Sequence, residues 1–237
     1  MLDGVEGLLG QVWKELAEGF VPLDDLAIRK AISLFVATMF LRNLETRKMV
    51  ESMHRQLVAF LDTLPSRSDG TPDIETVVIE NRAVPLEISE WHEYRSWSKN
   101  DHDRFFAQLV RSEASNIAEM MMEKRWSIVC GKADVFITSD KPVAIQHLTR
   151  PTVGFGTPGA MITFPLSPRH LLVMDDKHDE PANQYYALHA NAAGAFNLNI
   201  WKNGSRFMIT GRPVPDVLNE ICAWANSLDA DEVNRIG

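Results

Sequence analysis

The chain has 237 residues, 45% apolar and 24% charged, with a formal net charge of −8 and a pI of about 5.4. That balance excludes a chain disordered throughout, and its acidity argues against an electrostatic nucleic-acid binder. Two cysteines, Cys130 and Cys222, with no CxxC pair, argue against a disulfide scaffold or a zinc finger and fit a reducing compartment.

Residues 1–20 carry Asp3, Glu6, Lys14, Glu15 and Glu18, which interrupt any apolar signal core. No stretch approaches the ~18 uncharged apolar residues of a membrane span. The expectation is a soluble, cytoplasmic protein with no membrane partner. Asn203-Gly204-Ser205 fits a glycosylation sequon, which has no meaning without secretion.

The first third reads helical. Leu8, Leu9, Val12, Trp13 and Leu16 share a helical face, and Gly19 ends that helix. Pro22, Asp24 and Asp25 start the next. A periodic segment runs from about Leu26 to Leu64, with Ile28, Ile32, Phe35, Met39, Met49, Val50, Met53, Leu57, Phe60 and Leu64 at three- and four-residue steps. Its length leaves room for a kink or break inside it. Residues 65–73 are a loop, and Ile74 to Ile79 a strand. Residues 81–100 are irregular and aromatic, with Trp91, Tyr94 and Trp97. A helix spans about Asp101 to Arg125.

After Trp126, short apolar runs alternate with Gly, Pro and Asp: SIVC, DVFITS, PVAIQ, AMITFPL, HLLVM, FNLNIW and SRFMIT. These predict a mostly antiparallel sheet. Residues 182–196 read as a helix between two strands, and 213–227 as a closing helix. The class is α+β, with long N-terminal helices packed on a C-terminal sheet. No linker marks a boundary near residue 126, so the expectation is one domain over 1–237.

Several patterns have bland readings. Gly154-Phe155-Gly156-Thr157-Pro158-Gly159 matches GxGxxG, but Pro158 interrupts it and AMITF follows in place of a helix. A loop between strands is the reading. Asp175, Asp176, His178, Asp179 and Glu180 are contiguous, which suits a solvated loop better than a metal site. The seven histidines form no HxxxH or HExxH pair, and no GxSxG or Walker A motif is present. No metal and no cofactor is expected.

One feature is less bland. On a wheel at about 100° per residue, Arg42 falls about 20° from Phe35, Thr46 about 20° to the other side and Asn43 about 80° away. A charge on a buried face must be paired. Arg42 is therefore expected to meet a carboxylate of the protein or an anionic ligand. Asp140 in Thr138-Ser139-Asp140-Lys141-Pro142 is a candidate partner at a strand end, though the structural reading, an Asx-turn in which the side chain bonds the local backbone, is the favoured one.

These segments resemble the family named domain of unknown function 4238. The resemblance rests on Phe136-Ile137-Thr138-Ser139-Asp140-Lys141-Pro142-Val143 and Phe164-Pro165-Leu166-Ser167-Pro168-Arg169, with Phe35 to Asn43 similar to the family's long helix. Glu6, and Asn191 ahead of Ala195-Phe196, are similar to further family positions. The family opens with a short His-Tyr-x-Pro segment, and nothing here matches it. The resemblance implies no activity. It does imply that Glu6, Arg42, Ser139, Asp140 and Asn191 converge on one polar cleft between helical and β parts.

Two functions follow as expectations. In the first, an enzyme or binding domain takes a small anionic ligand. Arg42, with Asn43 and Asn191, would bind it, Asp140 or Glu6 would be the base, and Ser139 would orient it or attack. In the second, a non-catalytic interaction or structural module uses Trp91, Tyr94 and Trp97 as a contact patch, with Arg42 and Asp140 in a buried salt-bridge network. An acidic chain rich in methionine and tryptophan leaves a homodimer open.

Overall fold

A computed structural model describes residues 2–79, 82–85, 88–189 and 192–236; for residues 2–6, 8, 11, 12, 79 and 228–236 it describes the backbone alone. In chain order the elements are α1 (Leu2–Glu18), α2 (Leu26–Leu41), α3 (Leu44–Leu61), β1 (Thr76–Ile79), β2 (Arg82–Pro85), α4 (Trp91–Arg95), α5 (Lys99–Glu123), β3 (Arg125–Cys130), β4 (Thr138–Ser139), β5 (Ala144–Gln146), β6 (Met161–Pro165), β7 (His170–Asp175), β8 (Gln184–Ala187), α6 (Ala193–Asn203), β9 (Met208–Ile209) and α7 (Val214–Ile236). The fold is α+β. The chain divides into two compact units, residues 1–43 with 112–237, and residues 44–111.

In the larger unit a five-stranded sheet has the order β5-β6-β7-β3-β8, antiparallel except where β3 meets β8. All six residues of β7 are buried, so both faces of the sheet are covered. Opposed residues share a face: Trp126, Met174 and Ile162 lie across from one another, as do Ile128, Leu172 and Phe164. Helices α1 and α2 cover this face. The Phe35 ring sits 6.0 Å from Phe164 and 5.3 Å from Trp13. On the opposite face Leu171 and Val173 pack with Phe136 and Phe196. Beyond them Leu198 and Ile200 of α6 meet Val217 and Ile221 of α7. A Cβ at Gly194 would come within 2.7 Å of the Glu220 carbonyl, so this helix pair needs glycine at its crossing.

Helix α2 begins where Asp25 Oδ1 accepts the N–H groups of Ala27 and Ile28, at 2.8 and 3.1 Å. Ile32, Ser33, Val36 and Ala37 are all essentially inaccessible, so α2 is buried nearly all round rather than along one stripe. It ends at Arg42, because Asn43 Nδ2 donates to the Phe40 carbonyl at 2.6 Å and offers the backbone an alternative to the helix. The periodic segment from Leu26 to Leu64 is thus two helices, broken at Arg42-Asn43. Arg42 caps α2 and is exposed, against the expectation of a buried face. Met49, Met53 and Phe60 of the same stripe are exposed on α3, by 55%, 60% and 51%.

The cation of α2 that packs against the fold is Arg29, half-buried, which sequence reading did not single out. It donates to Asn183 Oδ1 (2.9 Å) and to the carbonyls of Leu23, Met122 and Lys124, with its guanidinium 4.4 Å from the Trp126 ring centroid. Arg125 and Lys124 hold Asp175 and Asp176. The Arg125–Asp175 fork is bidentate, at 2.8 and 2.6 Å, and both side chains are buried. Removing one partner of such a pair costs about 3–5 kcal/mol. Asp175 and Asp176 therefore lie in ion pairs, and only residues 177–182 of the acidic segment are a solvated loop.

Two element predictions are corrected. Residues 184–187 pair as β8, where a helix over 182–196 was expected, and FNLNIW is the body of α6, where a strand was expected. Phe196, Leu198 and Ile200 alternate, yet Phe196 and Ile200 also stand four apart; so short an apolar run carries both periods. Of DVFITS only Thr138 and Ser139 are strand, paired with β9.

In the smaller unit β1 and β2 form an antiparallel hairpin. Trp91 of α4 is buried, and Arg47 bridges Glu51 (3.2 Å) and Asp103. Ser98 and Asp101 form a capping box at the start of α5: Asp101 Oδ2 accepts from the Ser98 N–H at 2.9 Å.

Candidate functional site

Within the larger unit, two segments about 25 residues apart in sequence meet α2. Phe35 and Met39 stand one turn apart on α2 and form one wall of a cleft of about 480 Å³. Phe136 to Ser139, with Pro142, form a second wall, and Phe164 to Pro168 a third. Trp13 and Ile209 contribute further apolar surface. Each wall has an identifiable anchor. Asn197, buried in α6, accepts from the Ile137 N–H (3.1 Å) and donates to the Val135 carbonyl (2.8 Å). Asn203 donates to the Lys141 and Val143 carbonyls, at 2.7 and 2.8 Å. Ser167 Oγ donates to the Ala17 carbonyl at 2.6 Å and accepts from the N–H groups of Arg169 and His170. His170 Nδ1 donates to the Leu16 carbonyl at 2.9 Å.

Ser139 lies on this cleft, buried, and its Oγ accepts the Lys141 N–H at 3.1 Å. Asp140, its neighbour, turns to a different task. Its Oδ1 accepts the N–H groups of Ser205 (3.0 Å) and Arg206 (3.3 Å), fixing the turn between α6 and β9. Burial pulls the Asp140 carboxyl up, but those N–H groups and that of Phe207 together outweigh it and hold it below its ordinary range. Gly204 packs against Ser139, and a Cβ there would come within 3.1 Å of the serine Cβ.

Arg42 and Asp140 are not among the residues that line the cleft. Asn43 uses its amide on α2. The Glu6 side chain and Asn191 lie outside the described residues. The walls are mainly apolar rather than the polar surface expected. Asn197 was missed because FNLNIW was read as a strand, and Asn203, two residues beyond it, was read only as part of a glycosylation sequon; on a helix, Asn197 would have stood out as a polar group beside an apolar face.

The remaining motifs have structural explanations. Gly154 to Gly159 is the loop between β5 and β6, as its context indicated. Gly159 has φ +79°, and its N–H donates to Asp176 Oδ2 at 2.7 Å. Burial pushes the Cys130 thiol up, away from thiolate chemistry. Among the described residues no group of three or more His, Cys, Asp or Glu could hold a metal ion, and no helix is long and apolar enough to cross a membrane.

The smaller unit has a cavity of its own, of about 340 Å³, walled by Trp91, Tyr94, Trp97, Phe105 and Leu57. Its aromatic rings interlock. His54 stacks on Trp97 (centroids 5.0 Å, interplanar angle 4°) and meets Tyr94 edge-on at 4.6 Å; Trp97 lies 5.1 Å from Phe105. His54 Nε2 donates to the Tyr94 carbonyl at 2.8 Å. Burial raises the Tyr94 phenol, which stays uncharged.

An α+β chain with a motif-walled cleft on its helix-covered sheet is the class these features define. Residues 1–236 match the family model described as a protein of unknown function, DUF4238, and the chain belongs to that family. No curated protein and no solved structure matches it.

Proposed function

We propose that the larger unit is a binding domain for a small, largely apolar molecule seated in the cleft. One observation carries this: both motif segments, Phe136 to Pro142 and Phe164 to Pro168, wall the same cavity as Phe35 and Met39. Its volume of about 480 Å³ suits a small-molecule site. Ser139, Thr138 and Thr210 supply a few polar groups that would orient a ligand, as in most such pockets. Binding suits the lining better than acyl transfer, because Ser139 Oγ accepts a backbone N–H and no histidine is among the described residues that line the cleft. The net charge of −8 supports a partner other than nucleic acid, and the cysteine usage supports a cytoplasmic setting. A homodimer is carried forward on the exposed Met53 and Phe60 of α3.

The test is titration of the intact protein with N-phenylnaphthylamine, an uncharged apolar fluorophore. Saturable binding is expected. Ile209 lines the cleft and is 57% exposed, so Ile209→Glu places a charge at the rim without disturbing the core. It should weaken binding about tenfold, whereas Arg42→Ala should not. Binding that ignores Ile209→Glu refutes the reading. A preference for anionic compounds that disappears in Arg42→Ala would instead restore the clamp expected from sequence. Native mass spectrometry of the same sample reports the subunit number.

A further inference from the structure

We propose that the aromatic cavity of the 44–111 unit binds a small organic cation, an alkylammonium group on a compact body. The walls are the π faces and edges of Trp91, Tyr94, Trp97 and Phe105, and carboxylates stand among them: Glu90, Glu93 and Asp101. An aromatic face attracts a cation through its quadrupole, and it does so most when the cation is partly desolvated.

The charges around the cavity decide the sign of the ligand. Asp101 is occupied as the cap of α5, where the hydroxyl and N–H of Ser98 keep it ionised. It also offsets Arg104, the one cation among the described lining residues, at 3.5 Å. Arg95 on the neighbouring helix α4 is taken by Asp62 at 3.2 Å. Glu90 and Glu93 make no ion pair among the described residues, and both are exposed. The cavity thus has two unneutralised carboxylates beside aromatic walls. An anion would meet like charge there, and a neutral apolar molecule would gain nothing from the two glutamates. A cation uses both features at once. The cavity, about 340 Å³, accommodates a molecule of choline size.

The experiment is calorimetric titration of the full chain with choline and, separately, with its uncharged carbon isostere, in which a tert-butyl group replaces the trimethylammonium. The two share a shape and differ in charge. Choline is expected to bind about tenfold more tightly than the isostere. Trp97→Ala should abolish that binding. Because Trp97→Ala removes a stacked ring and could unfold the unit, the exposed pair Glu90→Gln with Glu93→Gln provides a second variant that preserves the core. It should weaken choline severalfold and leave the isostere unchanged. Equal affinity for the two compounds overturns the proposal. So does the absence of choline binding, or an unchanged choline affinity in the doubly neutralised variant.

Discussion

Asp140 marks the distance between a residue's type and its task. Its carboxylate, next to Ser139 in a motif, has the chemistry of a general base. Its partners are backbone N–H groups of Ser205 and Arg206. A carboxylate held below its ordinary range by such donors is ionised near neutrality but a weak base there. A turn anchored this way loses about 1 kcal/mol when the acceptor is removed. Asp140→Ala is therefore expected to lower the melting temperature, with Asp140→Asn restoring most of it, since the amide oxygen still accepts. A loss of ligand binding in Asp140→Asn with stability intact would show that the carboxylate charge does more than hold the turn.

At the scale of elements, α7 is fastened by a charged fork as well as by Val217 and Ile221. Arg212 donates through two nitrogens to Glu220, at 2.6 and 2.7 Å, and also to the Val135 carbonyl. The Arg212 hydrogen bonds hold the Glu220 carboxyl below its ordinary value of 4.5, against an opposing effect of burial. A depressed carboxylate contributes stability that is complete above its unfolded value and is lost as pH falls through the folded one. Melting temperature measured from pH 7 downward should therefore fall below about pH 4.5 in part through this pair. Glu220→Gln should flatten that part of the curve and leave the neutral-pH slope unchanged. An identical acid limb in the variant would refute the assignment.

For the whole molecule, charge is the property that needs no structure. At −8, the chain should pass unretained through heparin at physiological salt, and retention would reveal a basic surface that the total conceals. The α+β class was also legible. The Asp25 cap, the stop after Glu18 and the strands ending in HLLVM follow from cap chemistry and local period, which neighbouring residues alone determine. The motif segments were legible too, and they do line one cleft.

What the sequence by itself determined is what nearest neighbours fix: composition, charge, caps, turn glycines and the period of long helices. Only the tertiary structure decided that α2 is buried nearly all round and that Arg29 is the half-buried cation bound to carbonyls of the distant Met122–Lys124 segment. It also decided that FNLNIW is a helix whose Asn197 holds the β4 approach. The physical reason is the same in each case. A short apolar run satisfies both periods, and a polar side chain can be satisfied by many partners. The outcome depends on which distant surface covers the run and which carbonyl the side chain reaches, and those partners lie dozens of residues away.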